Sequence, residues 1–307
     1  LSQGTPSVTY GGQAVIEGVM FAGKTVNITA VRKKDDTIAF FETPKLEKRW
    51  VGSLKRIPFL RGLIALVEAS AKGSQHLNFS AEAYAEDESP GNERKTMLDN
   101  ATMILGVAVI GVLSFLFGKL VFTLVPAAIE EVIFGAAFES MFLHNLIEGL
   151  IKLMLLIGYI LLISQTPLIK RLFQYHGAEH KVISTFEAGE QLTVQNVQKY
   201  NTLHYRCGSS FIVLTVIVGI FLYSLPVFSW DSIWERLGIR LLLLPIVIGI
   251  SYEVLRFTNS VREIPVLRYL GFPGLWLQKL TTKEPTDDQV EVAIASFQRM
   301  LDADRRC

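Results

Sequence analysis

The segment Tyr175-His176-Gly177-Ala178-Glu179-His180-Lys181 sets two imidazoles and a carboxylate at the spacing H-x-x-E-H. On a helix, His180 falls about 40° round from His176 and Glu179 about 60° to the other side, so all three share one face. Two neutral imidazoles one turn apart hold a zinc-like ion, and the carboxylate between them can take a proton from water that the ion activates. The spacing inverts the H-E-x-x-H signature of metalloproteases.

Such a centre needs a third protein ligand. Glu187 returns to the same helical face, but seven residues beyond His180 it stands about 10 Å along a straight helix, beyond any ligand bond. Better candidates come from other segments. His204-Tyr205-Arg206-Cys207 offers an imidazole and a thiol three residues apart, and Ser251-Tyr252-Glu253 offers a carboxylate. Glu253 is the first choice, because a carboxylate from a distant helix completes the inverted motif in zinc peptidases; His204 follows closely. Cys207 as ligand would point to a closed, structural site. Arg206 could stabilise developing negative charge. The plainer account of His176, His180 and His204 is interfacial histidines, bonded to carboxylates, that fasten a cytoplasmic domain to membrane helices.

The elements that must position these residues follow from hydropathy. Half of the 307 residues are hydrophobic, and four apolar runs approach the 20 or so residues that span a bilayer: Ala101 to Val125, Leu146 to Leu168, Phe211 to Phe228 and Ile239 to Val254. The loop from Pro126 to Asn145 holds Glu130, Glu131 and Glu139 and no Lys or Arg, whereas Lys170, Arg171, Lys181, Lys199 and Arg206 lie between the second and third runs. The positive-inside rule then puts both termini and the motif on the cytoplasmic side. Glu148 and Lys152 stand one turn apart in a favourable order. Charges confined to the outer edge of four spans speak against a transporter.

Around the spans, the expected organisation has three parts. Residues 1–95 form a small cytoplasmic α+β domain, 96–256 a four-helix transmembrane domain with the motif in a loop at 169–208, and 257–307 a cytoplasmic helical tail. In the first part, Val26 to Arg32 and Thr37 to Glu42 read as a hairpin, and glycines flank a short apolar strand within Gly11 to Met20, where a turn on either side is the simplest account. From Ile57 an apolar helical face accompanies Arg56, Arg61 and Glu68, too charged to span, and belongs at the membrane surface. Glu86 to Glu93 reads as a linker. In the tail, Phe272-Pro273-Gly274 opens a short apolar helix, and Thr286-Asp287-Asp288-Gln289 matches a capping box before a terminal helix. Leu1 to Tyr10 is polar, so no cleavable signal is expected there. The two cysteines, Cys207 and Cys307, do not make a disulfide framework. With 30 Lys and Arg against 29 Asp and Glu, nothing points to nucleic acid as a partner.

Four blocks, Gly11 to Met20, His176-Gly177-Ala178-Glu179-His180-Lys181, Arg206-Cys207-Gly208 and Leu280-Thr281-Thr282-Lys283-Glu284-Pro285, resemble in order the signature blocks of a YqhQ-like family of bacterial membrane proteins. The likeness covers nearly the whole chain. It implies a multi-spanning protein of the bacterial inner membrane; the family has no known reaction, though some members carry the label of metal-dependent enzyme. Thr commonly follows Arg-Cys-Gly in the family where this chain has Ser209, and both side chains carry a hydroxyl.

Two functions are expected from these readings. One is a metal-dependent hydrolase, with peptides as a candidate substrate, at the cytoplasmic membrane surface: His176 and His180 hold a divalent transition metal, expected to be zinc, Glu253 or His204 completes the shell, Glu179 is general base and Arg206 stabilises charge. The other is a non-enzymatic adaptor, in contact with membrane lipid, that binds another integral membrane protein and regulates its assembly, quality control or degradation.

Overall fold

A computed structural model describes residues 10–45, 49–85, 118, 121–122, 124–205, 207–228, 230 and 232–306. The protein is mostly helical, with one small antiparallel sheet near its amino terminus. The sheet is a meander of β1 (Gly11–Val15), β2 (Gly18–Ala22), β3 (Val26–Arg32) and β4 (Ile38–Pro44), each strand paired with the next. The expected hairpin is β3 and β4, in register from Val26↔Pro44 to Arg32↔Ile38. Asp36 takes φ +62° in its turn, a conformation that Asp tolerates better than most residues.

The block from Gly11 to Met20 is two strands rather than one strand between turns. The chain reverses at Ile16 and Glu17, with Val15 opposite Gly18. Glu17 sits at φ +51°, and Arg171 Nε donates to its carboxylate at 2.5 Å, which fixes this strained turn from a neighbouring helix. A Cβ on Gly18 would run into the Ala30 carbonyl of β3, so glycine here serves close approach of two strands.

After the sheet come α1 (Arg49–Leu54) and α2 (Leu60–Ala85). The second turns Gly62, Gly73, His76, Ser80 and Ala83 inward and leaves Leu66 and Val67 exposed. Helical residues over 124–134, labelled α3, precede α4 (Met141–Ile163), α5 (Pro167–Glu187), α6 (Val194–Gln198), α7 (Ser209–Tyr223), α8 (Ile233–Ser260), α9 (Phe272–Thr281) and α10 (Asp287–Arg306).

Four spans were expected; among the described residues two helices are long and apolar enough to cross a membrane. These are Met141–Ile163, of mean hydropathy 2.3, and Trp234–Ser260, of mean hydropathy 1.8. Only 22% and 28% of their most apolar windows are buried, unlike the core helix of a soluble protein. The expected third span is α7, whose 15 residues reach about 22 Å against a hydrocarbon core of about 30 Å. The expected first span, Ala101 to Val125, and the linker before it lie almost wholly outside the described residues.

The chain divides into two compact units. In the first, made of residues 1–88, 160–214 and 248–307, the sheet, α5 and α10 share one core. Phe297 of α10 meets Phe21 at 4.9 Å, Phe186 at 5.1 Å and Tyr10 at 5.4 Å between ring centroids, all edge to face, each pair contributing about 0.5–1.5 kcal/mol beyond its burial. At the start of α10, Gln289 Oε1 accepts from the Thr286 N–H at 3.0 Å, the reach-back half of a capping box. The second unit, residues 89–159 and 215–247, holds a buried ion network. Arg236 donates to Glu130 through two bonds of 3.1 Å and to Glu148, which also receives Arg240.

Candidate metal centre

Pro167 opens α5 behind an extended Thr166, a position where its missing N–H costs nothing. One side of the helix, with Tyr175, Ala178, Val182 and Ile183, enters the core. Gly177 allows the next contact: a Cβ there would strike the Lys283 carbonyl. The segment that leaves the end of α9 is thereby held along α5, where the Lys283 N–H donates to Phe173 O at 2.9 Å.

That close approach orients the two motif histidines. His176 Nδ1 lies 2.8 Å from Thr281 O, and His180 Nδ1 lies 2.5 Å from Thr202 O. A backbone carbonyl only accepts, so each ring carries its proton on Nδ1 and leaves Nε2 as a lone pair. This carbonyl support is what metal-ligating imidazoles use to fix tautomer and direction. The ring centroids are 4.5 Å apart, and His176 Nε2 stands 3.2 Å from Cys207 Sγ. The sulfur in turn lies 3.0 Å from Ser209 Oγ and accepts from the Ser209 N–H at 3.4 Å.

His176, His180 and Cys207 thus form a largely buried group whose donor atoms all fall within 4.8 Å of one another. In a tetrahedral site with bonds of about 2.0–2.3 Å, donors stand about 3.3–3.7 Å apart. The group therefore fits an ion after a closure of about an ångström. Two imidazoles and a thiolate are a borderline-soft set suited to zinc-like metals, and three protein donors leave a fourth position open.

The group lines a cavity of about 400 Å³ with Glu179, His204 and Gly12. Burial pushes the Glu179 carboxyl above its ordinary range, against a hydrogen bond from the Gly12 amide. Gly12 makes room for that carboxylate, since a Cβ there would stand 2.9 Å from Glu179 Cγ. Burial likewise lowers His180 and His204 below the usual histidine value, which favours the neutral imidazoles a metal requires.

The other expected ligands stand elsewhere. Glu253 accepts from Arg61 Nε at 2.6 Å and from the Phe59 N–H at 3.1 Å, which occupies its carboxylate at a residue of φ +66°. It is replaced in the donor group by Cys207, because ion pairing with Arg61 satisfies Glu253 where it sits. His204 lines the cavity with its ring centroid 5.7 Å from that of His180, but its Nε2 faces Glu187 at 3.7 Å. Glu187 is a neighbour of the cavity histidine, not a ligand. Arg206 lies outside the described residues. Sequence reasoning missed Thr202 and Thr281, whose parts are played by backbone carbonyls that no residue type marks; the glycines around Gly12 were read as turn or close-approach positions, without Glu179 as the group approached.

A family model described as "Protein of unknown function (DUF1385)" matches residues 57–303. The chain is 55% identical over 296 residues to the "Uncharacterized protein YqhQ" of Bacillus subtilis (strain 168), with 95% of this chain and 92% of that one covered. No solved structure matches.

Proposed function

Since the chain belongs to the DUF1385 family, whose chemistry must be argued from its site, we propose a metal-dependent hydrolase of the cytoplasmic membrane surface. The observation that carries this reading is the convergence of two carbonyl-anchored imidazoles and the Cys207 thiol on one cavity that also holds Glu179. Zinc is the ion the donor set suits best; when bound, it would supply a Lewis acid and lower the pKa of water. His176 and His180 would hold the ion through Nε2, and Cys207 through its sulfur. Glu179, whose pKa burial raises above the usual carboxylate range, would accept a proton from water as general base. Tyr10, Leu172 and Phe173 add an apolar wall to the cavity. Peptides are the first substrate class to try, by the inverted zincin spacing.

On this reading the protein lies in a bacterial inner membrane, spans it more than once and keeps both termini and the site on the cytoplasmic side, as the distribution of Lys and Arg supports. The rival reading, an adaptor for another membrane protein, draws on the exposed Val266, Tyr269, Phe272 and Trp276, which offer an apolar surface to lipid or to a partner helix.

Metal analysis of the purified protein beside its variants decides between them. The hydrolase reading expects about one ion per chain in the parent and in Glu179→Gln, loss of the ion in His176→Ala, and failure of Glu179→Gln to rescue a deletion phenotype. A parent without stoichiometric transition metal sinks it. Full rescue by Glu179→Gln, with one membrane protein co-purifying in mild detergent, favours the adaptor.

A further inference from the structure

A second cavity, of about 470 Å³, shares Gly11, Gly12 and Gln13 with the first and lies within the same compact unit. Five cationic side chains line it, those of Lys45, Lys55, Arg61, Lys72 and Arg256, against one carboxylate, Glu68. The positions of several cations are fixed. Glu68 bridges Lys55 at 2.7 Å and Lys72 at 2.6 Å, Arg61 is clamped on Glu253, and Lys45 donates to Gly23 O. Each carboxylate that orders these groups offsets only part of their charge, so the cavity keeps a surplus of positive potential.

Asn27 adds a second observation. It lines this cavity and is 1% exposed, yet among the described residues neither its amide nitrogen nor its oxygen has a hydrogen-bond partner. A buried amide with its donors unmet is costly unless something meets them. An apolar ligand would leave those donors unmet; an anion with several acceptor oxygens meets the N–H groups of Asn27 Nδ2.

We propose that this cavity binds a phosphoryl group, with Asn27 Nδ2 as directional donor and Lys72 and Arg256 as the principal charges. A phosphoryl group carries more than one acceptor oxygen in a tetrahedral array, which suits donors arriving from β3, α2 and α8. The volume exceeds that of inorganic phosphate and has room for the glycerol or sugar to which the group is esterified. The same chemistry is offered by a lipid headgroup and by a soluble phosphomonoester.

The test uses the full chain in uncharged detergent with two probes, dioctanoyl phosphatidylglycerol and glycerol 3-phosphate, each titrated by calorimetry at 0.15 M salt. At least one probe should bind saturably, with affinity reduced tenfold or more in Asn27→Asp, which puts a negative charge opposite the phosphoryl oxygens, and in Arg256→Gln. Preference for the lipid assigns a headgroup site; preference for glycerol 3-phosphate assigns a soluble ester. Arg256 is exposed, so Arg256→Gln decides alone if Asn27→Asp fails to fold. Absence of saturable binding by both probes, or undiminished binding in every folded variant, overturns the proposal. Metal content of the parent is not a readout here, so this result stands apart from that of the hydrolase reading.

Discussion

His176 Nε2 lies 3.2 Å from Cys207 Sγ although 31 residues separate them. The thiol approaches an imidazole whose other nitrogen is already committed to Thr281 O, so the ring presents a lone pair to the sulfur in a fixed direction. Glu253, the carboxylate that the inverted zinc motif leads one to expect as partner, is held by Arg61 and the Phe59 amide.

The two candidates for third donor therefore separate by experiment. Cys207→Ala should weaken zinc binding by about 100-fold or more, since it removes a donor rather than a supporting contact. Glu253→Gln should leave the affinity within about threefold and lower thermal stability instead. Competition against a chromophoric chelator measures both, and an inverted ranking would restore Glu253 as ligand.

Gly177→Ala tests the support of His176 from the backbone. The added methyl meets the Lys283 carbonyl and must displace the segment after α9, and with it Thr281 O, at a cost of about 1–3 kcal/mol and about tenfold in metal affinity. Gly158→Ala, where a Cβ meets nothing within 4 Å, should be neutral or stabilising by up to about 1 kcal/mol. Thermal melts of the two variants in parallel give the comparison.

In the second unit, Arg236 is 1% exposed and Glu130 is fully buried. Arg236→Met removes the cation that faces both Glu130 and Glu148 and should destabilise by about 3–5 kcal/mol, because it strands buried carboxylates. Arg236→Lys keeps the charge but cannot reach two carboxylates through a planar fork, so it should recover only part of the loss. Unfolding in detergent, followed by tryptophan fluorescence, reads the order parent, Lys, Met.

His76 makes stability depend on pH. Its Nδ1 meets Thr29 Oγ1 at 2.6 Å and its Nε2 meets Thr43 Oγ1 at 3.0 Å. Hydroxyls can donate to one nitrogen and accept from the other, so the neutral ring is satisfied. Burial lowers its pKa from 6.5 to about 4. The unfolded chain then takes up a proton that the folded chain refuses; stability is unaffected above pH 6.5 and falls as the pH drops from 6.5 toward 4, by at most about 3 kcal/mol. His76→Gln should flatten the fall in melting temperature over that window, and an unchanged slope would assign it to other groups.

How much of this was open to sequence reading varies with the range of the interaction. The capping box at Thr286 and the shared face of His176 and His180 depend on residues three and four positions apart, and the hairpin of β3 and β4 on a short turn between two β-prone runs, relations that helix and strand geometry set locally. That Glu17 rather than a glycine would carry the turn at positive φ was not foreseen, because Arg171, 154 residues away, holds it there. Glu148 was read beside Lys152 on its own helix, whereas Arg236 and Arg240 bind it from another. Hydropathy marked four apolar runs, but composition does not fix where a helix ends, and α7 stops after 15 residues.

The sequence by itself determined that the chain is rich in apolar helices, that it carries a small sheet, and that two imidazoles and a carboxylate share one helical face. Periodicity and hydropathy are local properties, so the residues state them directly. Only the tertiary structure decided that Cys207 joins the histidines, that Thr202 and Thr281 carbonyls set their tautomers, and that Glu253 answers Arg61. Those choices depend on which distant segments pack together, and backbone carbonyls, identical at every residue, leave no mark in the sequence of the part they play.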